Sequence, residues 1–294
     1  MLIRYIAVLL LGFMPFTSAL AQAPDKVQRR DKGCAYCKAG EHTNENPYVR
    51  GFKHELPFIA TGAGLLTTGF VLQAVNPTQP FTIPELDNLN RDDINPFDRP
   101  ASYNYSPQAA KTSDIIRLGV LILPAIFLSN HHTRPNIGSL LVMGLEVGAI
   151  TYGLTLTVKN IANRPRPYVY NTDVPVDERT NDISKKSFFS GHASFTASFS
   201  FFTAKVISDY HPNMKTGLKI AVWSTAAIIP AVTGYLRVES GKHFPTDVIT
   251  GYAIGAFAGW IVPQLHKKKK RNVNYSLIPV MYRGAPGLYF RYKL

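Results

Sequence analysis

The sequence predicts an all-α protein, a membrane-associated bundle of about six apolar helices closed by a small C-terminal β-hairpin. Three observations carry this. Six apolar segments, at Leu56–Val75, Ile115–Leu128, Ile137–Val158, Phe188–Ile207, Leu218–Tyr235 and Val248–Val262, are separated by polar loops. Those segments are rich in Gly, Ala, Ser and Thr, residues that let helix backbones approach closely. The tail from Asn274 to Leu294 instead alternates apolar and polar residues around Gly284-Ala285-Pro286-Gly287, the pattern of a hairpin; two strands are too few for a barrel.

Taken in order, Arg4, the apolar run Ile6–Phe16 and the small residues at Ala19-Leu20-Ala21 read as an export signal over residues 1–21. An uncleaved anchor is the alternative, although the run is short of the ~20 residues a span needs. A polar segment follows over residues 22–54 and carries the two cysteines, Cys34 and Cys37. Their closeness in an exported chain suggests a local disulfide, and no second Cys or His pair completes a zinc site. Residues 55–265 form the helical domain. Between the first two apolar segments, Pro77, Pro80, Pro84, Pro96 and Pro100 break up residues 76–115. Asp87, Asn90, Asp92 and Asp93 in that loop lack the Gly and terminal Glu of a calcium loop, so they are expected to be solvated caps. The basic run His266–Arg271 opens the C-terminal region, residues 266–294, and is of the kind a membrane protein keeps on the cytoplasmic side.

A net charge of +13, from 32 Lys and Arg against 19 Asp and Glu, points to an anionic partner. No interleaved basic and aromatic surface is visible and the chain reads as exported, which argues against nucleic acid. That leaves an anionic membrane surface or a phosphorylated substrate.

Three clusters place polar residues at the mouths of apolar helices. In KNIANRPRP, Lys159 and Arg166 offer a point charge and a planar fork of donors, a combination suited to phosphate. In FFSGHASF, Ser190, Gly191 and His192 stand at a helix start, where free N–H groups and the helix dipole favour an anion. Read alone, a capping Ser190 with an incidental His192 is the alternative. In YLRVESGKHFPTD, His243 and Asp247 are four residues apart, so a helix beginning near Phe244 lets the carboxylate fix the imidazole, while Arg237 adds a cation. Lys242 and Glu239 read as solvated neighbours.

Together, Lys-x6-Arg-Pro, Ser-Gly-His and Arg-x5-His-x3-Asp resemble the three-part signature of the type 2 phosphatidic acid phosphatase and vanadium haloperoxidase superfamily, over residues of about 138–264. The resemblance implies that Lys159, Arg166 and Arg237 bind the phosphate oxygens, helped by Ser190 and the Gly191 amide. It implies that His243 attacks phosphorus, that Asp247 orients it, and that His192 protonates the leaving group and then activates water. No metal or other cofactor is expected. Phe189 stands where the family usually has Pro, and Leu236 where a Ser often precedes the Arg, which puts the local loop geometry in question.

The expected function is therefore hydrolysis of a phosphate monoester or diphosphate. A membrane setting suggests a lipid phosphate, and a soluble periplasmic bundle suggests small esters, as in bacterial acid phosphatases. A vanadate-dependent haloperoxidase and a noncatalytic lipid-binding scaffold are the rivals from other classes. The active site is expected to face the periplasm. A cleaved signal followed by three spans would deliver Lys159 to the other side, so either one early segment does not cross or none does. Ile115–Leu128 is the candidate, being short and carrying Pro124. Tyr168, Tyr170 and Phe188 line a lipid groove or serve as ordinary packing.

Overall fold

The computed structural model describes residues 46–49, 51–268, 275–282 and 285–292. The export signal and Cys34 and Cys37 lie outside the described residues. Six long helices form the bundle: α1 Phe52–Val75, α2 Pro107–Ile122, α3 Ile137–Ala162, α4 Gly191–Tyr210, α5 Thr216–Glu239 and α6 Pro245–His266. A two-stranded antiparallel sheet, β1 Tyr275–Tyr282 with β2 Ala285–Tyr292, follows them. The expected all-helical class with a C-terminal hairpin is what forms. Ala285, Pro286 and Gly287, read from the sequence as the turn, belong to β2. Pro286 and Gly287 pair in register with Met281 and Val280, so the reversal falls before them.

The second helix is longer than its hydropathy suggested. Ser106 caps it by accepting from the Ala109 N–H at 3.2 Å, and Pro107 fills the first helical position, where no N–H is needed. Its polar first turns hide its true start from a hydropathy reading. Pro124 does not end the element. It sits in a 3-10 turn, Leu123–Ala125, that hands over to a last helical turn at Ile126–Ser129. Pro107–Ser129 thus joins Phe52–Val75, Arg134–Tyr170, Thr216–Glu239 and Pro245–His266 among the described segments long and apolar enough to cross a bilayer. This removes the reason for singling out Ile115–Leu128 as a segment that stays on one side. The outer faces agree with a lipid solvent: Phe70, Ile115, Leu118, Leu145, Ile228 and Phe257 are all exposed.

The sixth helix, α4, lies inside the ring of the others. Ala193, Ala197, Phe202 and Val206 on it are buried, and Phe202 and Val206 pack with Leu140, Met143, Val147 and Val262 in the main core. Its closest partner is α6. Gly251, Gly255 and Gly259 face the carbonyls of Ser190, Ser194 and Ser198, and a Cβ at those glycines would sit 2.5, 2.0 and 2.1 Å from those oxygens. Two four-residue repeats, small residue against glycine, therefore bring the backbones into direct contact. The same logic seats α1 against α3 through Gly62, Gly69 and Gly153.

The ends of the bundle differ. At one end Tyr48 forms an antiparallel bridge with Lys267, Val49 N–H donates to the His266 carbonyl at 2.7 Å, and Lys268 N–H donates to Pro47 at 2.8 Å. Buried Asp209 secures this seam by accepting from Tyr48 (3.1 Å), Lys267 (2.5 Å) and Lys205. At the other end lie the last turns of α3 and α5, the first turns of α4 and α6, and the long loops, including all three polar clusters.

Candidate active site

Each cluster is delivered by a helix end, as the sequence led us to expect. Lys159 occupies the last turn of α3, which stops at Asn163 in the left-handed conformation (φ 42°). Its Nζ donates to the carbonyls of Lys186 (2.6 Å) and Ser187 (3.3 Å). Arg166 is buried in the loop beyond, with Nε donating to Ile183 O at 2.9 Å and Nη1 to Lys242 O at 3.2 Å. Ser190 is the N-cap of α4, its hydroxyl accepting from Ala193 N–H at 3.4 Å, so the capping role is real. Gly191 opens the helix with Thr155 and Lys159 beside it; a Cβ there would lie 3.2 Å from the Thr155 methyl.

Arg237 ends α5 and is buried, its Nη1 3.2 Å from Ser113 Oγ, with Nε left without a partner among the described residues. The chain then turns through Gly241, whose φ of +67° only glycine adopts readily and whose missing Cβ would fall 2.1 Å from Asn104 O. This turn brings His243 back under Arg237, its N–H donating to the Arg237 carbonyl at 3.2 Å.

His243 is completely buried within electrostatic reach of Lys159, Arg166, Arg237 and His192. Burial first, and those cations next, push its pKa well below the ordinary histidine value, so the imidazole is neutral at neutral pH. α6 begins at Pro245, as anticipated, and Asp247 stands 3.7 Å from His243 Nδ1. That is ion-pair distance rather than a hydrogen bond, because the carboxylate is already engaged elsewhere. It accepts from Ser187 Oγ at 2.5 Å, Phe244 N–H at 2.9 Å and Arg164 Nη1 at 2.5 Å. Ser190 N–H also donates to the Asp247 backbone carbonyl at 3.0 Å, tying the second cluster to the third.

Three residues of this end escaped the sequence reading. Arg164 sits two positions before Arg166 and bridges two buried carboxylates, Asp247 and Asp98, the latter at 2.7 Å, while lying 4.3 Å over the Phe244 ring. Asp98 comes from the proline-rich loop and also accepts from Thr246 N–H (3.0 Å) and Thr246 Oγ1 (2.6 Å). Burial pushes the Asp98 carboxyl up, but the hydrogen bonds from Thr246, Arg164 and Asn95 outweigh it and hold the group below its usual range. Asp114, on α2, lies 2.5 Å from His192 Nε2. A carboxylate surrounded by apolar helix residues was the available signal for Asp114; nothing local distinguishes Asp98 from its acidic loop neighbours.

Other expectations resolve differently. Lys242 is held between Glu178 (3.3 Å) and the Tyr168 ring (4.4 Å) rather than freely solvated, whereas Glu239 is exposed. Tyr168 is buried and shares a 3.2 Å hydrogen bond with Ser184 Oγ, which makes it packing. Phe189 is fully buried behind Ser190. In the acidic loop, Asn90 caps a 3-10 turn and Asp92 pairs with Arg99 at 3.2 Å, as expected of caps.

A ring of cations around a neutral buried histidine stands at the end of a bundle with five helices long and apolar enough to cross a membrane, an arrangement chemically able to hold an oxyanion. Residues 138–271 match the family model of the PAP2 superfamily. Over those residues the chain is similar to the PAP2 superfamily. One similar solved structure is the crystal structure of the first transmembrane PAP2 type phosphatidylglycerolphosphate phosphatase from Bacillus subtilis. The two share 23% sequence identity, over 72% of this chain and 99% of that one, with a TM-score of 0.45.

Proposed function

We propose that the chain hydrolyses a lipid phosphate, as monoester or diphosphate, through a phosphohistidine on His243 and without a metal ion. The observation that carries this is the convergence of Lys159, Arg166 and Arg237, from two segments far apart in sequence, on one buried neutral imidazole. In phosphoryl transfer the negative charge spreads over the equatorial oxygens, and three fixed cations stabilise it there. The Gly191 amide and Ser190, at the positive end of α4, add donors.

His243 attacks phosphorus with its neutral lone pair. Asp247 stabilises the ring as it becomes positive, closing the present 3.7 Å gap when substrate orders the site. His192 protonates the departing oxygen, then takes a proton from the water that releases phosphate. Residues 55–265 form the working domain, with the basic run and hairpin appended to it. A lipid substrate fits a site at the rim of five helices able to span a bilayer.

We further place the site on the outer face of the membrane. The basic run follows α6, and α6's 22 residues carry the chain about 33 Å from the His243 end. Held in the cytoplasm, the run leaves His243 outside. Because residues 46–49 pair with 266–268, they share the cytoplasmic side in this arrangement.

The test is phosphate release by detergent-purified protein in EDTA from phosphatidate, a polyprenyl diphosphate and a small aryl phosphate, with His243→Ala as control. Selective lipid turnover lost in the variant supports the proposal. Preference for the small ester moves the chain to the acid-phosphatase reading. Activity that requires peroxide and added vanadate moves it to the haloperoxidases, and chelator-sensitive turnover surviving His243→Ala refutes the mechanism.

A further inference from the structure

His192 needs a proton at the moment the leaving group departs, yet its surroundings oppose one. Arg117 from α2, Arg237 from α5 and His243 from the α5–α6 turn all face it. Burial first, then Arg237 and Arg117, drive its imidazolium towards deprotonation, and Asp114 is the carboxylate that opposes them. The Asp114 Oδ1 atom lies 2.5 Å from His192 Nε2 and 3.6 Å from Arg237 Nη1. The neighbouring Ser113 accepts from the same Arg237 nitrogen at 3.2 Å. This stretch of α2 therefore meets both His192 and Arg237. A carboxylate repels a phosphate dianion, so Asp114 has no place among the substrate's binding groups, and its half-exposed position makes it dispensable to the core.

We propose that Asp114 is the positioning residue for His192, resting on the phosphohistidine reading above. By accepting the Nε2 proton it fixes the tautomer and the ring plane, and its charge compensates the imidazolium between two guanidinium groups. The transferable proton is then the one on Nδ1. As His243 nitrogen bonds to phosphorus and the P–O bond breaks, the departing oxygen takes the Nδ1 proton. When water attacks the phosphohistidine, Nδ1 accepts a proton from it, and the cycle closes with no net proton change on His192.

The experiment compares wild type, Asp114→Asn, Asp114→Glu and His192→Ala on an alkyl phosphate and on 4-nitrophenyl phosphate, with pre-steady-state detection of nitrophenol. An alkoxide needs an acid and a nitrophenolate scarcely does. Asp114→Asn should lower alkyl-ester turnover about 100-fold, within the usual range for general acid catalysis. The first-turnover nitrophenol burst should fall less than tenfold, and Asp114→Glu should restore part of the alkyl activity. The pH profile of the alkyl reaction in Asp114→Asn should move to lower pH, since the imidazolium has lost its counter-charge. Equal losses on both esters with an unmoved profile, or no loss, overturn the assignment. If His192→Ala shows the leaving-group dependence and Asp114→Asn does not, Asp114 alone is wrong. If neither shows it, the acid role of His192 fails and the inference falls with it.

Discussion

Arg164 offers the sharpest test of how this site is held together. Its guanidinium donates at 2.7 Å to Asp98 and at 2.5 Å to Asp247, two fully buried carboxylates from a loop and a helix far apart in sequence. Replacing it with Ala leaves both buried charges without their main partner, and breaking a buried pair costs about 3–5 kcal/mol. Asp98 keeps Thr246 and Asn95, and Asp247 keeps Ser187 and the Phe244 N–H, so the lower end applies. Arg164→Lys retains the charge, but a single ammonium cannot repeat the two-pronged bridge. Losing one charge-assisted bond of roughly 1.5–3 kcal/mol should lower kcat about 10- to 100-fold with KM little changed, because Arg164 is placed on Asp247 rather than on phosphate. The assay is steady-state aryl phosphate hydrolysis in detergent beside a thermal melt. Arg164→Ala with wild-type kcat and an unshifted melting temperature would refute the claim that the Asp98–Arg164–Asp247 chain positions the nucleophile.

Other perturbations read other parts of the structure. Gly241→Ala forces a Cβ to 2.1 Å from Asn104 O at φ +67°, and should cost on the order of 1–3 kcal/mol and most of the activity, seen by melting and turnover. Gly255→Ala, with 2.0 Å to Ser194 O, should lower the melting temperature markedly, whereas Gly119→Ala, facing open space, should be neutral or stabilise by up to about 1 kcal/mol. Burial and the neighbouring cations hold the His243 pKa well below its ordinary value, so the ring is neutral near pH 7. The acid limb of kcat/KM therefore lies below pH 6.5, and Lys159→Met, which removes one of the cations depressing it, should move that limb upward. Single cysteines placed at residue 49 and at residue 268 should label with an impermeant thiol reagent from the same side of sealed vesicles, opposite to one at residue 242; opposite labelling of 49 and 268 would contradict the seam between them.

How much of this was legible depended on how local each signal was. Helix identity came through because apolar runs bounded by Pro, Gly and Ser are read within one segment, and the three clusters were visible because each is contiguous. Helix starts were misplaced where caps are polar, as at Ser106-Pro107, since hydropathy counts those turns as loop. The supporting network was hidden for a different reason. Asp98 resembles Asp92 and Asp93 in sequence, and only the fold buries it against Arg164 while leaving Asp92 at the surface. Arg164 was overshadowed by Arg166, which fits the signature, and Asp114 acts across a helix interface that no local spacing encodes.

The glycine seam between α4 and α6 divides the catalytic end into two mechanical parts. With carbonyls of one helix resting where side chains of the other would be, and Ser190 N–H bonded to the Asp247 carbonyl, the first turn of α4 and Asp247 are joined backbone to backbone. Asp114 belongs to the opposite wall, on a helix whose Ile115, Leu118 and Ile122 face outward. The counter-charge proposed for His192 therefore reaches it from outside the backbone-joined pair of α4 and α6, across side-chain contacts of α2 to His192 and Arg237.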